Sequence, residues 1–276
     1  RGLGDVYKRQ DVDIAFANGD LIDVNGAATT STINSAVLNN NAIALTHELT
    51  ETDADVVIAS AAAGAIIAGA AVVIRSEDDI AVGNGANVAI TAGTQDITLQ
   101  ADRDGDGTGA ITDGDGTIAM GGGDLLLIAG SGIGDNPNFI QTTGLTDVAA
   151  TTVTGGVAIS NSGTGDVNIT AVTNVLGDSA TGITTTTDGN IVVVNTVGSV
   201  TIASDSSTMG SGSIVLTASS DVVVNAALST VGSGIRLQAD NDVISNASGS
   251  LSSIGGPIFL EADFDTNGDG TIDCQA

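Results

Sequence analysis

Two short stretches hold most of the side chains with chemical potential. Asp102-Arg103-Asp104-Gly105-Asp106-Gly107-Thr108 is one, with Asp113-Gly114-Asp115-Gly116 close behind it; Asp263-Phe264-Asp265-Thr266-Asn267-Gly268-Asp269-Gly270-Thr271-Ile272-Asp273 is the other. Carboxylates packed this tightly repel one another unless a cation lies among them. Asp, Asn and Gly are also plain turn formers. The chemistry such a pattern suggests is oxygen coordination of a hard cation on a tight turn.

The second stretch resembles the calcium loop of EF-hands and dockerins. That resemblance implies ligands at Asp265, Asn267 and Asp269, a sharp turn at Gly270, a backbone carbonyl from Thr271 and a further ligand at Asp273. The last ligand position falls on Ala276, so the bidentate acid is missing, and no helices flank the loop. The first stretch matches at Asp102, Asp104, Asp106 and Gly107 and offers Asp113 at the last position, but has Gly109 where an apolar residue is expected. Ca2+ is therefore the expected cofactor of both.

Catalysis finds little to work with. His47 is the only histidine, Cys274 the only cysteine, and no Gly-x-Ser-x-Gly occurs, so a nucleophilic triad is not expected and His47 reads as a surface residue. The enzymatic alternative is a polysaccharide lyase or hydrolase, whose paired acids could be assembled from neighbouring repeats. Such a site wants cations and aromatic platforms. Beyond the first ten residues only Arg75, Arg103 and Arg236 are cationic, and Trp is absent.

Both acidic stretches follow the same phrase, which shows what must position them. Gly212-Ser213-Ile214-Val215-Leu216-Thr217-Ala218 leads to Asp221-Val222, Gly234-Ile235-Arg236-Leu237-Gln238-Ala239 leads to Asp242-Val243, and Gly256-Pro257-Ile258-Phe259-Leu260-Glu261-Ala262 leads to Asp265. Ile214, Ile235 and Ile258 are 21 and 23 positions apart. Alternating Ile, Leu and Ala give an extended strand one apolar face. An Asp/Ser/Asn turn follows, then a second short strand such as Val222-Val223-Val224, then a polar return rich in Ser, Thr and Gly. Earlier copies are Asp96-Ile97-Thr98-Leu99-Gln100-Ala101 and Asp124-Leu125-Leu126-Leu127-Ile128-Ala129.

The predicted fold is all-β, a single parallel β-helix (β-solenoid) over residues 11–276. About twelve coils of about 22 residues would stack into a rod on the order of 55–60 Å long at ~4.8 Å per coil. Right-handed winding is the prior from crossover chirality. A lone coil buries too little to fold, so stability belongs to the stack. Residues 130–154, with Asn136-Pro137 and Phe139, break the rhythm and are expected to bulge out as a loop. The uncharged run Val56 to Ile74 is long enough to span a membrane as a helix. Its bulky residues instead fall in three clusters, Val56-Val57-Ile58, Ile66-Ile67 and Val72-Val73-Ile74, and buried strands explain it better.

Composition agrees with narrow coils. Aromatics make up 2% of the chain and Gly numbers 38, so Val, Ile, Leu and Ala must fill the core. Residues 1–10, Arg-Gly-Leu-Gly-Asp-Val-Tyr-Lys-Arg-Gln, resemble a translated sequencing adapter and are set aside as a foreign segment. The remainder carries 32 acids against three cations. Such a surface repels phosphate backbones and excludes nucleic acid as a partner. Both ends are expected to be cuts through a longer protein.

The phrase Gly-x-Ile-x-Leu-x-Ala-x-x-Asp-Val and its polar returns resemble the repeat shafts of filamentous-haemagglutinin-type adhesins and other large bacterial surface proteins. The resemblance covers most of Asp11 to Ala276 and is one of style, without a diagnostic active residue. It implies a non-enzymatic shaft or adhesin, a secreted or cell-surface location, and a surface glycan or protein of a host or neighbouring cell as partner.

Overall fold

The structure is a computed structural model that describes residues 30–33, 46–51, 55–58, 66–68, 71–83, 87–163 and 165–275. Among these residues every regular element is a β-strand, and nearly all pair in parallel. The fold is a β-solenoid. The expected strands at 11–15, 20–25 and 43–45 lie outside the described residues. Val56 to Ile74 contributes strands Asp55–Ile58, Ile66–Ile67 and Ala71–Ser76. No helix of the described residues is long and apolar enough to cross a membrane.

Each coil has three walls, where the sequence suggests two strands and a return. From residue 183 onward the long wall stacks Ile191–Asn195, Ile214–Ala218, Ile235–Ala239 and Ile258–Glu261. The second wall stacks Val200–Ile202, Val222–Val224, Val243–Ser245 and Ile272–Cys274. The third is built from the polar returns: Ile183–Thr185, Ser206–Thr208, Ala227–Thr230 and Ser250–Ser253. Register follows the repeat, with Ile214 on Ile235 and Ile235 on Ile258. The same aliphatic therefore sits above itself along the core, and Ile214, Leu216, Val222, Val224, Ile235 and Leu237 are fully buried.

The third wall escapes a hydrophobic-pattern reading because many of its inward residues are hydroxylic, beside the aliphatic Ile183 and Leu228. Thr185, Thr208 and Thr230 are buried. Thr185 Oγ1 donates to Thr208 Oγ1 at 2.8 Å, and Thr208 Oγ1 donates to the Gly189 carbonyl at 2.6 Å. A buried hydroxyl so satisfied costs little. Asn161 and Asn195 stack in the same way, with Nδ2 of Asn161 donating to Oδ1 of Asn195 at 3.0 Å.

The walls are repartitioned midway. Strand Val157–Ser162 receives Gly132–Ile133 on its first half and Ile140–Thr143 on its second, fusing two walls into one. Strand Asp147–Thr152 is followed by Val167–Ile169 on its first half and Ile183–Thr185 on its second, so one wall becomes two. At the split the chain leaves as an antiparallel hairpin, Ala171–Thr173 with Ser179–Thr181. The bulge expected over 130–154 accordingly shrinks to residues 134–139, with a cis Asn136–Pro137 bond, because 140–143 and 147–152 are in register with their neighbours. The larger excursion is the hairpin. It lies back over the outer face of the preceding coils, where Val172 packs on Leu126 and Ala149, Asn174 Nδ2 donates to Thr98 Oγ1 at 3.2 Å, and Arg75 pairs with Asp178.

Candidate metal centre

Most corner acids have a structural task. Each strand of a parallel stack begins with an N–H that the turn below must satisfy. Asp55 accepts from Asp79 N, Asp79 from Ala110 N, Asp96 from Asp124 N, Asp205 from Ala227 N, Asp221 from Asp242 N and Asp242 from Thr271 N, at 2.7–3.2 Å. In every case the acceptor belongs to one coil and the donor to the next. Carboxylates make such bonds short and strong, so the acids stitch neighbouring coils together.

The two acidic stretches are insertions at this kind of corner, one between Ile97–Gln100 and Ala110–Asp113, the other between Ile258–Glu261 and Ile272–Cys274. They share one backbone. φ is positive at Asp102 and Asp263 (61° and 56°), at Gly105 and Thr266 (76° and 63°), and at Gly107 and Gly268 (90° and 92°). Gly107 N donates to Asp102 Oδ1 at 2.8 Å and Gly268 N to Asp263 Oδ1 at 2.7 Å. At the neck of each loop a Cβ on Gly109 or Gly270 would lie 2.4 or 2.3 Å from the backbone N of Asp102 or Asp263, so only glycine fits.

The carboxylates of the two loops group around a residue that the expected ligand set of the second loop leaves out. The carboxylates that converge are Asp102, Asp104 and Asp106 in the first loop and Asp263, Asp265 and Asp269 in the second; in each trio the oxygens lie within 4.8 Å of one another and could hold a metal ion. Asp263 was outside the expected set because the EF-hand likeness starts two residues later; its signal was the match of Ala262-Asp263-x-Asp265 to Ala101-Asp102-x-Asp104. Asn267 stays within the loop, with Oδ1 accepting from Asp269 N at 3.1 Å. Thr271 and Asp273 do not join the trio. Thr271 donates its N–H and hydroxyl to Asp242, and its carbonyl accepts from Val243 N at 2.9 Å. Asp273 belongs to strand Ile272–Cys274, over Ile244. Asp113 ends strand Ala110–Asp113 and accepts from Asp115 N at 3.0 Å.

Crowding shows in the protonation of these groups. Burial, together with Asp106 and Asp104, pushes the Asp102 carboxyl above its ordinary value. Burial and Asp265 do the same to Asp240. Asp78, beneath the first loop, is raised by burial and by four neighbouring carboxylates, Asp55, Asp79, Asp104 and Asp106. Asp106 itself is lowered by bonds from the Thr108 hydroxyl and backbone. A cation among raised carboxylates would reverse their penalty.

The remaining candidates are dispersed. His47 is on strand Thr46–Glu51, opposite Val72, and its side chain lies outside the described residues. Arg75 is half sheltered under the hairpin against Asp178, whereas Arg236 is on the long wall, its guanidinium doubly bonded to Glu261 at 2.8–3.2 Å. Comparison with protein-family models, with curated proteins and with solved structures found no match.

Proposed function

We propose that this chain is a non-catalytic shaft, with an adhesive role, in a large secreted or cell-surface bacterial protein, and that Ca2+ fills its two corner loops. The observation that carries this reading is the use made of the acids. Asp55, Asp79, Asp96, Asp205, Asp221 and Asp242 are committed to the backbone of the next coil, which suits a rod. The partner is a glycan or protein on a host or neighbouring cell, and nucleic acid is disfavoured by a formal charge of −27. Calcium is favoured over softer metals because the converging groups are all carboxylate oxygens.

A lyase has less support, since Arg75 and Arg236 are each engaged with an acid on different walls. The test is a binding screen of the purified chain against bacterial and animal cells, run beside a degradation assay on anionic polysaccharides. Binding without degradation is the expected result. Depolymerisation that disappears in Arg75→Gln, Arg103→Gln or Arg236→Gln would replace the shaft by an enzyme.

A further inference from the structure

The charges of the later coils are unevenly placed. Asp221, Asp240 and Asp242 lie at the corner between the long and second walls, the corner that also bears Asp263, Asp265 and Asp269. The opposite side, formed by the long wall, the third wall and the corner joining them, is nearly free of net charge. Its outward hydroxyls Thr184, Ser207, Ser229 and Ser252 fall in one column, coil above coil. At its corner Met209, Val231 and Ile254 are exposed on successive coils. Asp188 is the carboxylate there, and it is held by Ser211 N and Oγ.

A groove of about 250 Å³ opens on this side, lined by Ser213, Val215, Ser233, Arg236, Pro257 and Phe259. Phe259 is 53% exposed on the last strand of the long wall, where the inward Ile258 is also 40% exposed. Arg236 brings no net charge, because Glu261 faces it through two nitrogens and Gln238 Nε2 braces Glu261 at 2.8 Å.

We propose that this groove and the adjoining corner bind a neutral, linear glycan laid along the rod; the proposal deepens the adhesive reading above and rests on it. A polyanion would meet Asp221, Asp240 and Asp242 at the neighbouring corner even with Ca2+ held in the loop, and Arg236 is already satisfied. A second copy of the chain is disfavoured by area. A strip three or four coils long, roughly 15–20 Å, offers far less than the ~1,000 Å² a lasting protein interface needs. A peptide strand would join the open edge of Ile258–Glu261 and extend the long wall, not fill the groove, whose floor is Ile235–Ala239, paired on both sides. A sugar ring instead has an apolar C–H face for Phe259 and Val215, and hydroxyls for Ser213 and Ser233.

The test is native affinity electrophoresis of the whole chain in gels containing mannan, dextran or chito-oligosaccharides, with alginate as the polyanion. At least one neutral polymer should retard the protein, and Phe259→Ala or Val231→Ser should weaken that retardation roughly tenfold, as expected for loss of one stacking anchor. Both residues are exposed, so the fold should survive, as circular dichroism would verify. No retardation by any neutral polymer, retardation indifferent to Phe259→Ala, or equal retardation by alginate would each overturn the groove. Cells bound equally well by Phe259→Ala and the parent would sink the groove alone; neither cells nor polymers bound would sink the adhesive reading as well.

Discussion

Single carboxylates divide into three kinds, and substitution should separate them. Asp263 and Asp265 converge in the second loop, so Asp263→Ala should abolish the heat of calcium binding to that loop in calorimetry, whereas Asp273→Ala, outside the trio, should leave it unchanged. Equal loss from both would restore the EF-hand ligand set. Asp221 is of the stitching kind: its Oδ1 accepts from Asn241 Nδ2 at 2.7 Å and from Asp242 N at 3.1 Å. Asp221→Ala should cost about 1–2 kcal/mol in urea unfolding, as removal of a charged cap does. Asp124 is of the third kind, half buried between Asp96 and Asp147, with its carboxyl raised by burial and by those two neighbours. Asp124→Asn should therefore stabilise the protein at neutral pH, by about 0.5 kcal/mol after allowance for solvent screening.

Among the elements, the hairpin has the clearest consequence. In a solenoid the outward residues of a wall meet water, yet outward Val73, Thr98, Leu126 and Ala149, aligned coil upon coil, are at most 1% exposed. The hairpin covers this column. Replacing residues 171–181 by a short Gly-Ser link should speed amide exchange in Ala71–Ser76, Ile97–Gln100 and Asp124–Ala129 and leave Ile214–Ala218 and Ile235–Ala239 protected. Uniform protection throughout would show the hairpin to be ornamental. Its covering role was partly legible beforehand: Leu125-Leu126-Leu127-Ile128 is apolar on both faces, the pattern of a wall covered on both sides. Nothing local identified Val172 and Ala180 as the cover. The Ser/Thr returns were legible as returns and illegible as strands, since hydrophobic alternation is the signal for a half-buried strand and Ser206, Thr208 and Thr230 lack it.

For the molecule as a whole, the acids make stability depend on pH in a direction that can be worked out. Asp78, Asp102, Asp113, Asp124 and Asp240 are raised above the ordinary 3.8, so the folded state takes up their protons first. Their penalty is relieved as pH falls through the folded values, and the relief is complete below 3.8. Asp106, Asp178, Asp188 and Glu261 are lowered, and their contribution is lost only as pH falls through their depressed values. Without calcium the protein should melt higher at about pH 4.5 than at about pH 7.5, and lose stability below about pH 3. Added calcium should raise the melting temperature more at the neutral pH. A melting temperature that only falls on acidification would mean that the lowered acids dominate.

The residues alone determined the parallel stack. Ile, Leu and Ala recurring every 21 to 23 positions, each copy followed by an Asp turn, have no better way to bury one face than to lie on their own copies, and the observed register repeats that spacing. The presence of two acidic loops was equally plain, because tight turns are local and their residue types name them. What only the tertiary structure decided is which coils and side chains those local features meet. The repartition of walls at Asp147–Thr152 and Val157–Ser162, the fold-back of the hairpin onto Leu126, and the engagement of Thr271 with Asp242 all depend on contacts between residues of neighbouring or more distant coils. Periodicity fixes how far apart partners lie along the chain; packing then settles which of the residues at that distance face inward, outward or one another.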